Sequence, residues 1–189
     1  MNVILFGPPG AGKGTQAKNL VKKLNSFQIS TGDMLRDEIQ KNSEIGKKIV
    51  EDMSDGRFVS DEIVNSLIEK LIFDPSKKNK LIFDGYPRSL TQAMNLEKLL
   101  EKTNQKIDFV FFLNVNKETI IKRIEQRKSI ENRSDDDLNT TVRRYDKYME
   151  TTKPVLDFYS KNSNFYELDG GSKICLLYTS PSPRDRQKS

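Results

Sequence analysis

Short apolar runs alternate with longer segments of mixed polarity along most of this 189-residue chain. Five runs are apolar enough to form buried strands, at 3–6, 27–30, 80–84, 109–113 and 165–169. Between them, apolar residues recur at three- and four-residue intervals, which predicts seven helices, at about 13–24, 33–41, 44–53, 60–73, 89–102, 117–127 and 135–161. Strands that alternate with helices predict an α/β fold, in which helices cover both faces of a five-stranded parallel sheet.

Three of the predicted strands are followed by segments rich in glycine and charged residues. GPPGAGKGT follows the first strand, TGDMLR follows the second and DGYPRS follows the third. Ligands of parallel α/β sheets bind beyond the carboxyl ends of the strands. The pattern therefore predicts that these three segments form one site.

The segment after the first strand is typical of a phosphate-binding loop. Gly7, Gly12 and Lys13 fit the pattern G-x-x-x-x-G-K-[ST]. Gly14 stands at the hydroxyl position of that pattern, and Thr15 follows it. Glycines let backbone N–H groups converge on an anion at a helix N-terminus, and Lys13 would reach the β- and γ-phosphates. The alternative is a glycine-rich turn with a surface lysine, but the flanking strand and helix favour a nucleoside triphosphate site.

Composition narrows the chemistry of such a site. The chain has no histidine and one cysteine, which excludes Ser-His-Asp and Cys-His catalysis and a four-thiolate zinc site. Phosphoryl transfer needs little more than the cations, carboxylates and hydroxyls that remain, together with a hard metal ion. The net charge is +5, but basic residues are mixed with acidic ones along the chain, so we expect no nucleic-acid partner.

The compartment can also be predicted from the sequence. No apolar stretch reaches the roughly 18 residues of a membrane span, so no membrane partner is expected. The first apolar run has no charged segment before it, which predicts a core strand rather than a signal peptide. A single cysteine suits a reducing environment, so we expect a cytoplasmic protein.

The end of the chain, 175–189, differs from the rest. Its sequence CLLYTSPSPRDRQKS has no helical period and is rich in proline, serine and arginine. It predicts a disordered tail. An alternative hypothesis is that the tail is not native and is a translated sequencing-library adapter, which would place the end of the native coding sequence near Ile174.

The motifs together resemble those of the nucleoside monophosphate kinases, and most closely the adenylate kinases. GPPGAGKGTQA, ISTGDMLR, DGYPRS and RSDDD…RRY occur in the family's order and at about its spacing, over about residues 1–173. The resemblance implies a three-layer P-loop NTPase fold in one domain, 1–174, that works as a monomer. It also implies reversible, direct in-line transfer of the γ-phosphoryl group of Mg-ATP to AMP, giving two ADP.

On the donor side, the resemblance assigns the phosphate loop and two arginines of a later helix. ATP would be bound by Gly10, Ala11, Gly12, Lys13, Gly14, Thr15, Arg123 and Arg127. Asp84, at the end of the third strand, suits Mg²⁺ held through water, because this ion prefers oxygen ligands and keeps several waters. The alternatives are a capping role for Asp84 and an exposed basic helix end for Arg123.

On the acceptor side, the resemblance implies a small helical arm at about 30–59. AMP would be bound by Thr31, Arg36, Met53, Arg57, Val59, Gly85, Arg88, Gln92, Arg133 and Arg144. Taken alone, Thr31 and Asp33 could cap a helix, and Arg36 could be a surface charge. Pyrimidine-accepting relatives typically have Ala at the position of Thr31 and Asn near Gln92, so this sequence favours AMP over UMP or CMP.

The resemblance also implies a short lid at about 124–134 that has no zinc site. Asn132 stands where the family usually has a lid glycine. The catalytic cations around the transferring phosphoryl group would be Lys13, Arg88, Arg127, Arg133 and Arg144. Arginine suits this role because transfer is catalysed mainly by positioning and electrostatic stabilisation.

Two alternatives to an AMP kinase follow from the sequence. One is a UMP/CMP kinase on the same scaffold. The other is a nucleotide-binding protein without kinase activity, because the family's final helix after Asp169 and Gly170 is lost or replaced in this sequence.

Overall fold

The computed structural model describes residues 1–131 and 138–171. The elements are β1 (Val3–Phe6), α1 (Lys13–Leu24), β2 (Phe27–Ser30), α2 (Thr31–Gln40), α3 (Glu44–Ser54), α4 (Asp61–Ile72), a short 3-10 helix (Pro75–Lys77), β3 (Leu81–Asp84), α5 (Leu90–Lys102), β4 (Phe109–Asn114), α6 (Lys117–Glu131), α7 (Leu138–Thr151), α8 (Lys153–Ser160) and β5 (Phe165–Asp169). All five predicted strands are present, and helices separate them as the sequence indicated.

The five strands form one parallel sheet in the order β2-β3-β1-β4-β5. β1 lies between β3 and β4, so the chain leaves β1 where the strand order reverses, the usual ligand position in such sheets. Leu5 pairs with Asp84, and Asp84 pairs with Ser30. The carboxyl ends of β1, β2 and β3 are therefore in register, which brings the three glycine-containing segments to one edge.

Helices cover both faces of the sheet, because the strands are apolar on both sides. On one face, Ala17 of α1 packs with Leu5 and Ile82. On the other face, the core around Ile4 and Phe83 includes side chains from α2, α3, α4, α5 and α8. The predicted α/β fold with a five-stranded parallel sheet is confirmed, in the three-layer arrangement expected of a P-loop kinase.

Helix α2 begins two residues before its predicted start at position 33. The hydroxyl of Ser30 accepts a hydrogen bond from the backbone N–H of Asp33, at 3.3 Å, so Ser30 is the N-cap. Thr31 therefore does not cap α2, although its position in the sequence allowed that role.

The predicted single helix at 135–161 is wrong, because within the described residues this region forms two helices, α7 and α8. The break lies at Thr152, and Pro154 occupies the first turn of α8. Proline has no backbone N–H and suits the start of a helix, where no intrahelical donor is required. The apolar spacing continues across the break, so it did not reveal the boundary.

Several predictions concern residues outside the described part of the chain. These are Arg133, the lid residues 132–134, and 172–189 with the proposed non-native tail. Among the residues described, no helix is long and apolar enough to cross a membrane.

Candidate active site

The loop after β1 is shaped by glycines with left-handed backbone angles. Gly12, the N-cap of α1, has φ of +91°, and a Cβ there would have no atom within 4 Å. The backbone angle, not crowding, therefore favours glycine at this position. Gly10 has φ of +79°, and its Cβ would lie 3.0 Å from Cγ1 of Ile124 in α6. The loop thus packs closely on α6 and leaves the N-terminus of α1 oriented for an anion.

Lys13, the first residue of α1, folds back over this loop. Its ammonium group donates hydrogen bonds to the carbonyl oxygens of Gly7, at 2.7 Å, and Pro8, at 3.0 Å. The cation is therefore positioned by the backbone of its own loop.

The charges around Lys13 come from several elements of the fold. The pKa of Lys13 is lowered to about 8, chiefly because burial disfavours the charged ammonium. The carboxylate of Asp84 acts in the opposite direction and raises the pKa. Smaller lowering contributions come from Arg88, Arg144 and Arg127. Side chains from β3, the turn after it, α6 and α7 thus converge on the phosphate loop.

Asp84 is buried at the end of β3, beside the first turn of α1. Its Oδ2 accepts a hydrogen bond from Nε2 of Gln28 in β2, at 3.0 Å. A Cβ on Gly14 would lie 3.4 Å from the same oxygen, so the carboxylate adjoins the phosphate loop. A held carboxylate beside this loop fits the oxygen ligands that Mg²⁺ requires.

The turn after β3 connects the second and third polar segments. Gly85 has φ of +76°, and its carbonyl oxygen accepts hydrogen bonds from Oγ1 of Thr31, at 2.9 Å, and Nε of Arg88, at 2.7 Å. A Cβ on Gly85 would lie 2.9 Å from Nη2 of Arg88. The peptide bond between Tyr86 and Pro87 is cis. The positive φ therefore favours glycine at this turn, where Arg88 folds back against the strand end.

The side-chain amide of Gln92 is held in one orientation. Its Oε1 accepts from the backbone N–H of Arg88 at 2.7 Å, and its Nε2 donates to Oδ1 of Asp61 at 2.6 Å. The other oxygen of Asp61 accepts from the hydroxyl of Ser89 at 2.7 Å. Because a backbone N–H only donates and a carboxylate only accepts, the amide has no equivalent flipped state. One N–H and one oxygen lone pair of the amide are left for other partners.

The arginines of the predicted arm pair with acidic residues close to them in sequence. Arg36 contacts Asp33 at 2.5 Å. Arg57 contacts Asp52 at 3.1 Å and Asp55 at 3.2 Å, with 58% of its side chain exposed. These cations are present at the surface of the arm, in pairs that a ligand phosphate could replace.

Two adjoining clefts open at this edge of the sheet. The first cleft includes the phosphate-loop residues Gly7, Pro9 and Lys13. The second cleft is lined by arm residues, among them Gly32, Leu35, Arg36, Met53, Gly56, Arg57 and Val59. Phe58, Arg88 and Arg144 line both clefts. The guanidinium of Arg88 lies 4.9 Å from the ring centroid of Phe58. The two clefts therefore meet at this ring and at two arginines.

Arg144 reaches this junction because α7 packs closely on the arm. Gly56 has φ of +71°, and a Cβ there would lie 2.8 Å from Cγ2 of Thr140 and 3.1 Å from Cγ of Arg144. Only the absence of a side chain at Gly56 allows this approach.

The remaining predicted donor residues lie near the phosphate loop, on α1 and α6. Nη1 of Arg123 donates to the carbonyl oxygen of Ala11 at 3.3 Å. Arg127, one turn later in α6, is half-buried, and Thr15 is exposed on α1. Of the predicted residues that the structure describes, Lys13, Arg88 and Arg144 line the first cleft, and the arm residues line the second. Thr31 and Gln92 are buried beside the turn after β3 and line neither cleft, and Arg123 and Arg127 line neither as well. Arg133 lies outside the described part.

Comparisons with known proteins agree with this arrangement. The adenylate kinase family profile matches residues 5–164. The chain belongs to the adenylate kinase family. An adenylate kinase of Pelagibacter ubique is 48% identical over 92% of this chain and 94% of its own. Adenylate kinases of Mycoplasma capricolum and of Caulobacter sp. strain K31 are 42% and 43% identical, over 89% and 92% of this chain and 91% and 92% of their own.

Membership of the adenylate kinase family confirms the predicted enzyme class, a nucleoside monophosphate kinase. The family uses ATP and AMP or ADP as substrates. The alignment with the Pelagibacter relative spans 200 positions, which exceeds the 189 residues of this chain, whereas that with the Caulobacter relative spans 174. The Pelagibacter relative therefore has residues that this chain lacks. Across 1–131 and 138–171, no three His, Cys, Asp or Glu side chains form a group suited to a metal ion.

Sequence reasoning did not select several residues that hold the candidate site together. Gln28 contacts Asp84, Asp61 contacts Gln92, and Phe58 lies between the clefts. Phe58 could have been found, because it stands between the predicted Arg57 and Val59. The other two have no local signal, since their partners are distant in sequence.

Proposed function

We propose that this chain transfers the γ-phosphoryl group of Mg-ATP directly to AMP at the junction of the two clefts, giving two ADP. The observation that carries the proposal is that Arg88 and Arg144 line both clefts. With ATP in the first cleft and AMP in the second, a phosphoryl group passing between them would stay within reach of both guanidinium groups. Their planar forks suit phosphate oxygens.

The cations would act by position and charge rather than by covalent chemistry. Lys13 and the loop N–H groups would hold the β- and γ-phosphates, with Arg123 and Arg127 on the donor side. Arg36 and Arg88 would hold the AMP phosphate, and Arg133 and Arg144 would complete the set around the transferring group. Such fixed charges stabilise the negative charge that develops on the phosphoryl oxygens in the transition state.

Asp84 would hold Mg²⁺ through water. Its burial beside the phosphate loop and its hydrogen bond from Gln28 support this role. The bound ion would spread the negative charge of the triphosphate.

AMP selection would depend on Thr31 and Gln92. The amide of Gln92 has one N–H and one lone pair left after its bonds to Arg88 and Asp61. This pair matches adenine, whose N1 accepts and whose N6 amino group donates. The held amide supports AMP as the acceptor, and no feature of the described residues favours UMP or CMP.

We also propose that 30–59 is the acceptor arm and that 124–134 is a short lid within a kinase domain of 1–174. The arm is supported by its residues in the second cleft, and the short lid by the resemblance of the motifs around it to those of the family. Closing both segments over the nucleotides would exclude water and prevent hydrolysis of ATP. We further propose a monomer in the cytoplasm, which the single cysteine and the family resemblance support.

A coupled assay of ADP formation tests the proposed reaction. Mg-ATP is supplied with AMP, UMP, CMP or no acceptor, and we expect ADP only with AMP. Direct transfer predicts inversion of configuration at a chiral γ-phosphorus, whereas a phospho-enzyme intermediate would give retention. ADP formation with UMP or CMP in place of AMP would contradict the acceptor assignment, and ADP formation without acceptor would indicate hydrolysis.

A further inference from the structure

Tyr148 has a buried hydroxyl without a hydrogen-bond partner among the described residues. The residue lies on α7, and its side chain is largely enclosed, with a relative exposure of 7%. Buried polar groups are usually paired, because each gives up hydrogen bonds with water when it is buried. The buried hydroxyl of Tyr148 is therefore available to donate a hydrogen bond to a ligand.

The position of Tyr148 distinguishes it from the other unpaired buried atoms. In the described part of the chain these are Oγ1 of Thr141 and Oδ1 of Asn164. Neither of those residues lines the first or the second cleft, whereas Tyr148 lines the first. Tyr148 stands one helical turn after Arg144 and one turn before Thr152, and these two residues also line the first cleft. The phenol thus belongs to the face of the chain that meets the cleft.

The same cleft is suited to an anion. Lys13, Arg88 and Arg144 line it together with Tyr148. Burial raises the pKa of Tyr148, and the nearby Tyr145 adds to the effect, so the hydroxyl keeps its proton over the physiological range. A protonated phenol can donate to an anionic oxygen, and hydrogen bonds to charged acceptors are stronger than those between neutral groups.

We propose that the hydroxyl of Tyr148 donates a hydrogen bond to a phosphoryl oxygen of the nucleotide bound in the first cleft. This inference rests on the proposed function, because that function supplies the phosphoryl group. The hydroxyl gains in the complex a partner that the described residues do not give it. Tyr148 is then a ligand-binding residue in addition to the cations of the site.

Two matched variants test the proposal. Tyr148→Phe removes the hydroxyl and keeps the ring, so no hydrogen bond among the described residues is lost. Tyr159→Phe is the control, because Tyr159 is also buried, at 1% exposure, but its hydroxyl donates to Oε1 of Glu97 at 2.9 Å and the residue lies outside both clefts. We expect the thermal midpoint of the ligand-free chain to be unchanged or higher in Tyr148→Phe and lower in Tyr159→Phe.

Nucleotide binding should respond the other way: it should weaken in Tyr148→Phe and stay unchanged in Tyr159→Phe. For the Mg complex of β,γ-imido-ATP, measured by calorimetry, we expect about tenfold weaker binding to Tyr148→Phe, as for a lost hydrogen bond to a charged group. The value of kcat/KM for Mg-ATP should fall by a similar factor, while Tyr159→Phe should match the parent chain in both measurements. Parent-like nucleotide binding by Tyr148→Phe, or a drop in its ligand-free midpoint as large as that of the control, would overturn the proposal. Failure of the parent chain to phosphorylate AMP would contradict the proposed function alone, because the calorimetric comparison still decides the role of Tyr148.

Discussion

The proposed donor and acceptor sides of the site hold their cations in different ways. Lys13 donates to two backbone carbonyl groups of its own loop, at 2.7 and 3.0 Å. Arg57, on the acceptor side, pairs with the exposed carboxylates of Asp52 and Asp55. The first arrangement is fixed by backbone geometry, and the second depends on exposed side chains at the surface.

This difference indicates how each side would respond to a nucleotide. The phosphate loop is already shaped by its glycine angles, so an arriving triphosphate would find its donors in place. Exposed ion pairs contribute only about 0–1 kcal/mol each, so the arm can exchange a carboxylate for a phosphate at little cost. We infer that the donor side is preformed and that the acceptor side adapts.

The largest expected effect is at Arg88, which belongs to both sides. In Arg88→Met, kcat/KM for AMP should fall by roughly 10²–10³, as when one donor to transition-state charge is removed. Both substrates should be affected, because this residue lines both clefts. Steady-state kinetics with each substrate varied in turn measures the effect.

The control for this variant is Arg88→Lys, which keeps the charge but loses the planar fork. It should recover only part of the activity. Full activity of Arg88→Lys would show that charge alone matters, and an effect of Arg88→Met on one substrate only would contradict the shared position of this residue.

A second test addresses the preformed donor side through pH. Lys13 must be charged to bind phosphate, and its pKa in the free chain is lowered to about 8 by burial. We expect kcat/KM for Mg-ATP to fall about tenfold per pH unit above that value. Bound phosphate would raise the pKa again, so kcat at saturating Mg-ATP should persist to higher pH.

The variant Lys13→Arg provides the control for the pH profile. A guanidinium group keeps its proton throughout this range, so any activity that the variant retains should lack the alkaline fall. The neighbouring Arg88, Arg127 and Arg144 likewise stay charged and would not produce it. A parent profile that is flat to pH 10 would contradict the role of Lys13. Because the unfolded lysine binds its proton up to higher pH, the ligand-free chain should also gain stability between about pH 8 and 10.5.

The sequence predicted the strands and the phosphate loop more completely than the contacts that hold the site's side chains in place. Short apolar strands and a glycine-rich loop are local signals, and all five strands and the phosphate loop were recognised from them. The contacts of Gln28 with Asp84 and of Asp61 with Gln92 join residues 56 and 31 positions apart. No local pattern carries such information, because the fold brings these residues together.

A third test disturbs the helix packing of the acceptor arm and leaves the phosphate loop unchanged. A Cβ on Gly46 in α3 would lie 2.1 Å from the carbonyl oxygen of Glu38 in α2, so Gly46→Ala must push these two helices apart. Overpacking of this kind costs about 1–3 kcal/mol, and we expect KM for AMP to rise about tenfold. KM for Mg-ATP should stay the same, because the donor side does not depend on this contact.

The adjacent variant Lys47→Ala is the control, since that side chain is 53% exposed and pairs only at the surface with Glu44. It should leave both KM values unchanged. Equal increases in both KM values for Gly46→Ala would show that the two sides do not respond independently.

The smallest expected effect is at Arg57, whose side chain is 58% exposed. Arg57→Ala should raise KM for AMP by about threefold and leave kcat and KM for Mg-ATP unchanged, as for an exposed charge that binds ground state and transition state equally. Arg57→Lys should restore the parent KM, because a single cation at this position suffices. Because the proposed contact is between exposed charges, added salt should reduce the difference between the parent chain and Arg57→Ala. A loss of kcat in Arg57→Ala, or a KM difference that is insensitive to salt, would contradict this assignment. Arg57 would then belong to the cations that act on the transferring phosphoryl group, and the acceptor side would be as firmly preformed as the donor side.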